Sequence, residues 1–147
     1  MPFTAPDPDY QRRVRDSFAA QTFMNTIGAR IVALQPGRCE LALDYDPRLT
    51  QQHGFIHGGV VSTLADTSSG YAAFSLMPAQ AQVLTTEFKI NLLSPARGNG
   101  LVARALVLKS GRTLTVCESS VYAVDGDTET LCARALVSLM ALLPSSA

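Results

Sequence analysis

The sequence predicts an α+β fold in which a curved antiparallel β-sheet wraps around one long central helix. Three observations carry this. Between Arg48 and Glu87 only Asp66 is formally charged, so a helix beginning near Gly58 has no charged stripe to offer solvent and should be buried nearly all round. Two strand-like runs precede it and four follow, alternating in polarity and separated by turns rich in Pro, Gly, Asn and Asp. The 147 residues, 47% hydrophobic and 16% charged, suit one globular domain spanning 1–147 with a real core. A six-stranded antiparallel sheet buries such a helix only by curling around it.

Residues 1–22 read as an N-terminal helical extension, a lid or clasp. Asp7 is placed as its cap, Pro8 in its first turn, and Val14 and Phe18 as an anchoring pair on a helix ending near Ala20 or Gln21. Phe23, Met24 and Ile27 then lead to Gly28. ARIVALQ and RCELALDY, joined by Pro36-Gly37, form a hairpin in which Cys39, Leu41 and Leu43 alternate with Arg38, Glu40 and Asp44. Asp46-Pro47 breaks the second strand and opens the loop QQHGFIHGG.

The central helix is expected from about Gly58 to about Leu76, where Met77-Pro78 stops it. Winding it at 3.6 residues per turn puts Val60, Val61, Leu64, Ala65, Ser68, Tyr71 and Ala72 on one stripe, suited to the inner face of a sheet. Asp66 points away from that stripe among small residues: Gly59, Ser62, Thr63, Ser69, Gly70 and Ala73. A second surface can therefore approach closely, and a second subunit is expected to supply it. A carboxylate at such a seam is costly to desolvate unless it is hydrogen-bonded or has a task.

VLTTEFKINLL reads as a half-buried third strand, with Leu84, Thr86, Phe88, Ile90 and Leu92 on one face and Thr85, Glu87, Lys89 and Asn91 on the other. LVARALVLKS, LTVCESSVYAV and LCARALVSLMALL complete a four-stranded meander through turns at Ser94-Pro95 and Gly98-Asn99-Gly100, Ser110-Gly111, and Asp125-Gly126-Asp127. Ala135, Leu136, Val137 and Leu139 are apolar on both alternations, the pattern of a sheet covered on both sides.

Composition narrows the partners. Twelve basic residues balance twelve acidic ones, so no overall field draws nucleic acid or an anionic membrane. Cys39, Cys117 and Cys132 are odd in number and set in apolar runs, as core thiols in a reducing cytoplasm rather than a disulfide framework. The acidic, Pro-rich start precedes no apolar segment, and no run approaches the length of a membrane span.

TFMNTIGARIVALQPGRCELALDY, QQHGFIHGGVVSTLADTSSGYAA and TTEFKINLLSPARG together resemble the PaaI-like acyl-CoA thioesterases of the hotdog fold, from about Phe23 to the C-terminus. The HGG motif followed seven residues later by Asp, and then by a strand ending in Ser-Pro, carries the specificity. The resemblance implies hydrolysis of a coenzyme A thioester at sites shared within a homodimer, with tetramers common among relatives. It implies no metal or prosthetic group, coenzyme A being part of the substrate. Residue by residue, Asp66 resembles the general base or nucleophile, the Gly58 backbone N–H the oxyanion donor, and His57 a loop-shaping residue that helps to polarise the thioester. Thr85 stands where relatives carry a Ser or Thr that holds the attacking water. Gln51 replaces a common Asn.

The residues support this chemistry independently in part. A helix N-terminus offers unpaired N–H groups, and Gly58 and Gly59 let a carbonyl approach closely; a tight loop entry without catalytic role is the simpler alternative. Asp66 has the alternative of a structural ion pair, and His57 that of a loop hydrogen bond. His53 and His57 lack a third ligand for a metal, and no G-x-S-x-G elbow is present. Coenzyme A phosphates would need a basic locus, for which Arg97, Lys109 and Arg112 at turns are candidates. A hydratase or dehydratase on the same scaffold, needing a histidine base, and a non-catalytic acyl-CoA-binding module are the rival readings.

Overall fold

Seventeen residues, Gly58–Phe74, form the central helix, here α3. In the computed structural model, which describes residues 2–145, Leu64, Ala65, Ala72 and Ala73 of this helix are essentially without solvent contact. Its hydroxyls bond back to the helix's own carbonyls, Ser69 to Ala65 O on the buried side and Ser62 to Gly58 O and Thr63 to Gly59 O on the partly open side, each at 2.8 Å. Ser68 reaches the sheet as well, 3.0 Å from Ser119 Oγ and 3.2 Å from Ala65 O.

Before α3 come α1 (Tyr10–Ala20), α2 (Thr22–Ile27), β1 (Arg30–Gln35) and β2 (Arg38–Asp44); after it come β3 (Gln82–Leu92), β4 (Gly100–Ser110), β5 (Leu114–Asp125) and β6 (Thr128–Leu142). All six strands join one antiparallel sheet in the order β1-β2-β4-β5-β6-β3. The expected architecture is present, but the four later strands are not a simple meander. Only β4, β5 and β6 are sequential neighbours; β3 lies at the far edge against β6, and β2 takes the place beside β4.

That edge position corrects the reading of β3 as half-buried, since nearly all its residues are exposed in the single chain, Leu84, Phe88 and Leu92 among them. A β-bulge between Thr85 and Glu87 also changes its facing. Thr85 is paired with Leu139, and beyond the bulge Phe88 is paired with Val137, both partners buried on the helix side. Thr85 therefore shares the inner face with Phe88, Ile90 and Leu92, not the face of Lys89 and Asn91 expected from strict alternation. In the single chain the outer face of the sheet is open: Leu136 is 51% exposed, and Leu84, Met140 and Leu114 form an apolar row across β3, β6 and β5.

The uncovered stripe of α3 is Gly59, Ser62, Thr63, Asp66, Thr67 and Gly70. Ser69 and Ala73, expected there, are buried because the curl of the sheet reaches them; the Cys117 thiol lies 3.5 Å from Ser69 O. The helix ends at Phe74, two residues before the expected Leu76. Cys39 and Cys117 are buried free thiols whose burial pushes their pKa up to about 12, and Cys132 is buried too. No helix among the described residues is long and apolar enough to cross a membrane.

The N-terminal extension is tied to the end of α3 by Arg13. Its guanidinium donates to the carbonyls of Phe74 (3.1 Å), Met77 (2.8 Å) and Pro78 (2.7 Å), and lies over the Phe74 ring. Phe74 O and Pro78 O also accept from Met77 N and Ala81 N, so the cation adds to the turns that close the end of the helix, where the dipole favours positive charge. Arg13 Nε stands 2.9 Å from Asp7 Oδ2, off the hydrogen-bonding direction, so that contact is ionic. Asp7 accordingly does not cap α1: its carboxylate accepts from Asp9 N in the preceding turn, and Asp9 holds the cap position without a side-chain bond. Val14 and Phe18 are the buried residues of α1. Phe23, Met24 and Ile27, read as a lead-in to Gly28, belong to α2, and the helical extension thus continues past residue 22.

Candidate active site

The loop before α3 is sewn into one shape by its backbone. Asp46 caps the turn Pro47–Leu49 by accepting from Arg48 N, Gln51 N donates to Phe55 O, Ile56 N to Ala96 O and His57 N to Leu49 O. Gly54, at φ +82°, makes the left-handed turn that folds the loop back. In consequence Gln51 and Gly58 line one cavity of about 350 Å³, together with Phe55, Val61, Leu92 and Pro95.

Two donors belong to residues that line this cavity. The Gly58 N–H, first of the helix, has no acceptor among the described residues. The Gln51 side chain accepts from His53 N through Oε1, which leaves its amide N–H₂ to donate. His57 is the helix cap: its Nδ1 accepts from Gly59 N at 2.8 Å, so in the neutral ring the proton sits on Nε2. Capping consumes the Gly59 N–H and leaves that of Gly58 free. Of the two glycines, only Gly58 offers a backbone donor to a ligand.

Asp66 lies in a different place, on the open stripe of α3 with Thr85 of β3 facing it. Thr85 Oγ1 donates to Asp66 Oδ1 at 2.6 Å, a contact made possible by the β3 bulge. Burial raises the carboxyl pKa above its ordinary value, and the Thr85 bond offsets only part of this. None of the salt bridges among the described residues includes Asp66, so the structural ion pair is not what holds it. The pair lines a polar cavity of about 180 Å³ together with Thr67, Gly70 and Tyr71 of α3, Gln82 and Val83 of β3, Leu139 of β6, and Ser17 and Gln21 of the N-terminal segment. Those last two and Tyr71 were not among the site residues expected from sequence. The available signal was the four-residue spacing of Ser17 and Gln21, which places both on one face of a helical segment.

The structure thus separates the expected site residues into two groups. Gly58 and Asp66 are eight residues apart on one helix, an axial distance of about 12 Å. Arg97 stacks 4.5 Å over Phe55 at the Gly58 cavity. Lys109 and Arg112 do not join it: the β4–β5 turn lies at the other end of the sheet, where Ser110, Thr115, Leu139 and Thr85 form one rung across four strands. His53 and His57 gain no companion ligands, and no group of three or more His, Cys, Asp or Glu side chains is placed for a metal among the described residues.

Residues 53–130 match the family model of the thioesterase superfamily. A solved thioesterase family protein from Silicibacter pomeroyi is 54% identical, with a TM-score of 0.90 covering 92% of this chain and 99% of its own. A Saccharolobus solfataricus protein provisionally named as an esterase is 32% identical over 84% of this chain and 79% of its own length. Human acyl-coenzyme A thioesterase 13 is 31% identical over 65% and 69% respectively.

Proposed function

This chain belongs to the thioesterase superfamily, and on that footing we propose that it hydrolyses acyl-coenzyme A thioesters at sites each built from two protomers. The observation that carries the proposal is the separation of its parts. A base and an oxyanion donor must both lie within about 3 Å of the atoms they serve, which Asp66 and Gly58 of one chain, about 12 Å apart along α3, cannot do for one carbonyl. A two-fold axis pairing the open stripes of two α3 helices, with the β3 edges side by side, brings Asp66 of one protomer to Gly58 of the other. The unpaired edge of β3 and its exposed Phe88 and Leu92 support that pairing.

In this arrangement the thioester carbonyl accepts from the Gly58 N–H and the Gln51 amide of one protomer. Asp66 of the other removes a proton from water. Thr85 occupies Oδ1, so Oδ2 is the basic atom, and the raised carboxyl pKa brings it closer to the working range of a general base. The hydroxide equivalent adds to the carbonyl carbon, the tetrahedral oxyanion is held by the two donors, and the C–S bond then breaks as the coenzyme A thiolate leaves, taking back the proton from Asp66. Arg97 at the rim is suited to a coenzyme A phosphate. Lys109 and Arg112 would reach the substrate only from beside the Asp66 half.

Thiol release from a panel of aliphatic and aromatic acyl-CoAs tests this directly. Hydrolysis with turnover supports it; tight binding without hydrolysis would favour the non-catalytic module, and water addition to an enoyl-CoA without thiol release the hydratase. Against the hydratase, neither histidine lines the Asp66 cavity or the Gly58 cavity, and His57 Nδ1 is taken by the Gly59 N–H. Replacing Thr85 with Val should shift the acid limb of the kcat/KM profile to higher pH, because the lost hydrogen bond favours the ionised carboxylate; an unmoved limb would detach Thr85 from Asp66. The apolar row Leu84, Met140 and Leu114 suits the stacking of two dimers through their outer faces, so light scattering should return the mass of four chains, and a mass of two would reject that contact.

A further inference from the structure

The cavity that holds Asp66 is lined as well by three polar side chains, Tyr71, Ser17 and Gln21, that the hydrolytic step does not use. Tyr71, on α3 and only 3% exposed, accepts a 2.8 Å bond from Gln21 Nε2, and its hydroxyl lies 3.2 Å from Ser17 Oγ. Two hydroxyl protons meet in the Tyr71–Ser17 contact and one bond uses one of them; the second proton, the other Gln21 N–H and Gln21 Oε1 have no partner among the described residues. Tyr71 is buried while Ser17 and Gln21 are half-buried, so the spare capacity faces a space that a ligand can enter. The set is also fixed in place. Ser17 is at the end of α1 and Gln21 just beyond it, and α1 is fastened to the end of α3 by Arg13.

The rest of the lining is Gly70, which lacks a side chain, Val83 and Leu139, which form apolar walls, and the polar Thr67 and Gln82. Asp66 and Tyr71 are five residues apart on α3, about 7.5 Å along the axis, a span of about five or six covalent bonds. With a volume of about 180 Å³ the space is too small for a long fatty chain, and ligand pockets for larger molecules run to about 300 Å³ or more.

We propose that this cavity receives the acyl arm of the substrate and selects arms of about four to six carbons that end in a hydroxyl group, with Tyr71, Gln21 and Ser17 as the residues that read it. This rests on the thioesterase reading above. A hydroxyl at that depth can both donate and accept, matching the mixture of spare donors and acceptors, whereas a methyl end leaves them all unfilled. The N-terminal clasp is thereby a determinant of specificity as well as a tie on the helix.

The test compares kcat/KM for matched pairs, 4-hydroxybutanoyl-CoA with butanoyl-CoA and 6-hydroxyhexanoyl-CoA with hexanoyl-CoA, in the full chain and in Tyr71→Phe and Gln21→Leu. Because the ratio within a pair is taken on one preparation, partial unfolding of a variant cancels. The wild-type chain should favour the hydroxylated member of at least one pair by about tenfold or more, and each variant should bring that ratio toward one. Turnover of both members with no preference, or a preference unchanged in Tyr71→Phe, overturns the assignment while leaving the thioesterase reading intact. No thiol release from any of the four overturns the hydroxyl-selective cavity outright, and hydrolysis of other acyl-CoAs in the same preparation shows whether the thioesterase reading falls too.

Discussion

Replacing Asp66 with Asn lowers thiol release by about 100- to 10,000-fold and leaves the protein at least as stable at neutral pH. The catalytic part follows from the loss of the basic Oδ2, while the Oδ1 of Asn still accepts from Thr85. The stability part follows from linkage. Burial holds the folded-state pKa of Asp66 above its ordinary value, so the protonated form is the one that folding favours; its contribution is complete below the unfolded carboxylate pKa and is lost as pH rises through the folded one. The Asn variant carries no such loss. Its melting temperature should match or exceed that of the wild type at neutral pH, and the difference should close as the pH falls below the ordinary carboxylate range. A variant that melts well below the wild type at neutral pH would mean that the carboxylate is a structural partner.

Replacing Gly58 with Pro should cost about 100- to 1,000-fold in kcat, the worth of one oxyanion donor, with little change in fold. Proline removes the N–H, and the first position of a helix is where a proline ring is best accepted. His57 already has φ −61° and ψ 139°, the conformation that a following proline requires. A new Cβ at residue 58 would stand 2.9 Å from Leu92 Cδ1, the end of a side chain that is 58% exposed and can turn away. Gly58→Ala carries the same Cβ and keeps the donor, so the Ala-to-Pro difference reports the loss of the N–H together with the ring carbon that takes its place. Equal turnover in the two variants would remove Gly58 from the mechanism.

Much of this was legible in the residues. The uncharged run around Asp66 announced a buried helix, and the bonds of the Ser68 and Ser69 hydroxyls to Ala65 O show how serines in that run can be buried. Strand boundaries followed the Gly and Pro turns closely. What alternation could not supply was the bulge at Thr85–Glu87, because one inserted residue inverts the facing of everything before it without altering the polarity pattern. Strand order also escaped, since hydrogen-bonding neighbours across a sheet are tertiary choices: β3 and β4 look alike in sequence but lie at the edge and in the interior. The division of labour between Gly58 and Gly59 depends on which N–H the His57 ring takes, a matter of one rotamer. Tyr71 read as core, and it is; only the approach of Ser17 and Gln21 shows that its hydroxyl end faces a cavity.

The claim on which the account turns is that each site takes its donor and its base from different chains. Mixing Gly58→Pro with Asp66→Asn, after mild dissociation and reassociation, tests it most directly. Each mixed dimer then holds one site with an intact Gly58 and an intact Asp66, and one site lacking both, so random pairing should restore about a quarter of wild-type activity from two nearly inactive proteins. If mixed dimers form, as native mass spectrometry would show, and activity stays at the level of the separate variants, the site is not shared between protomers.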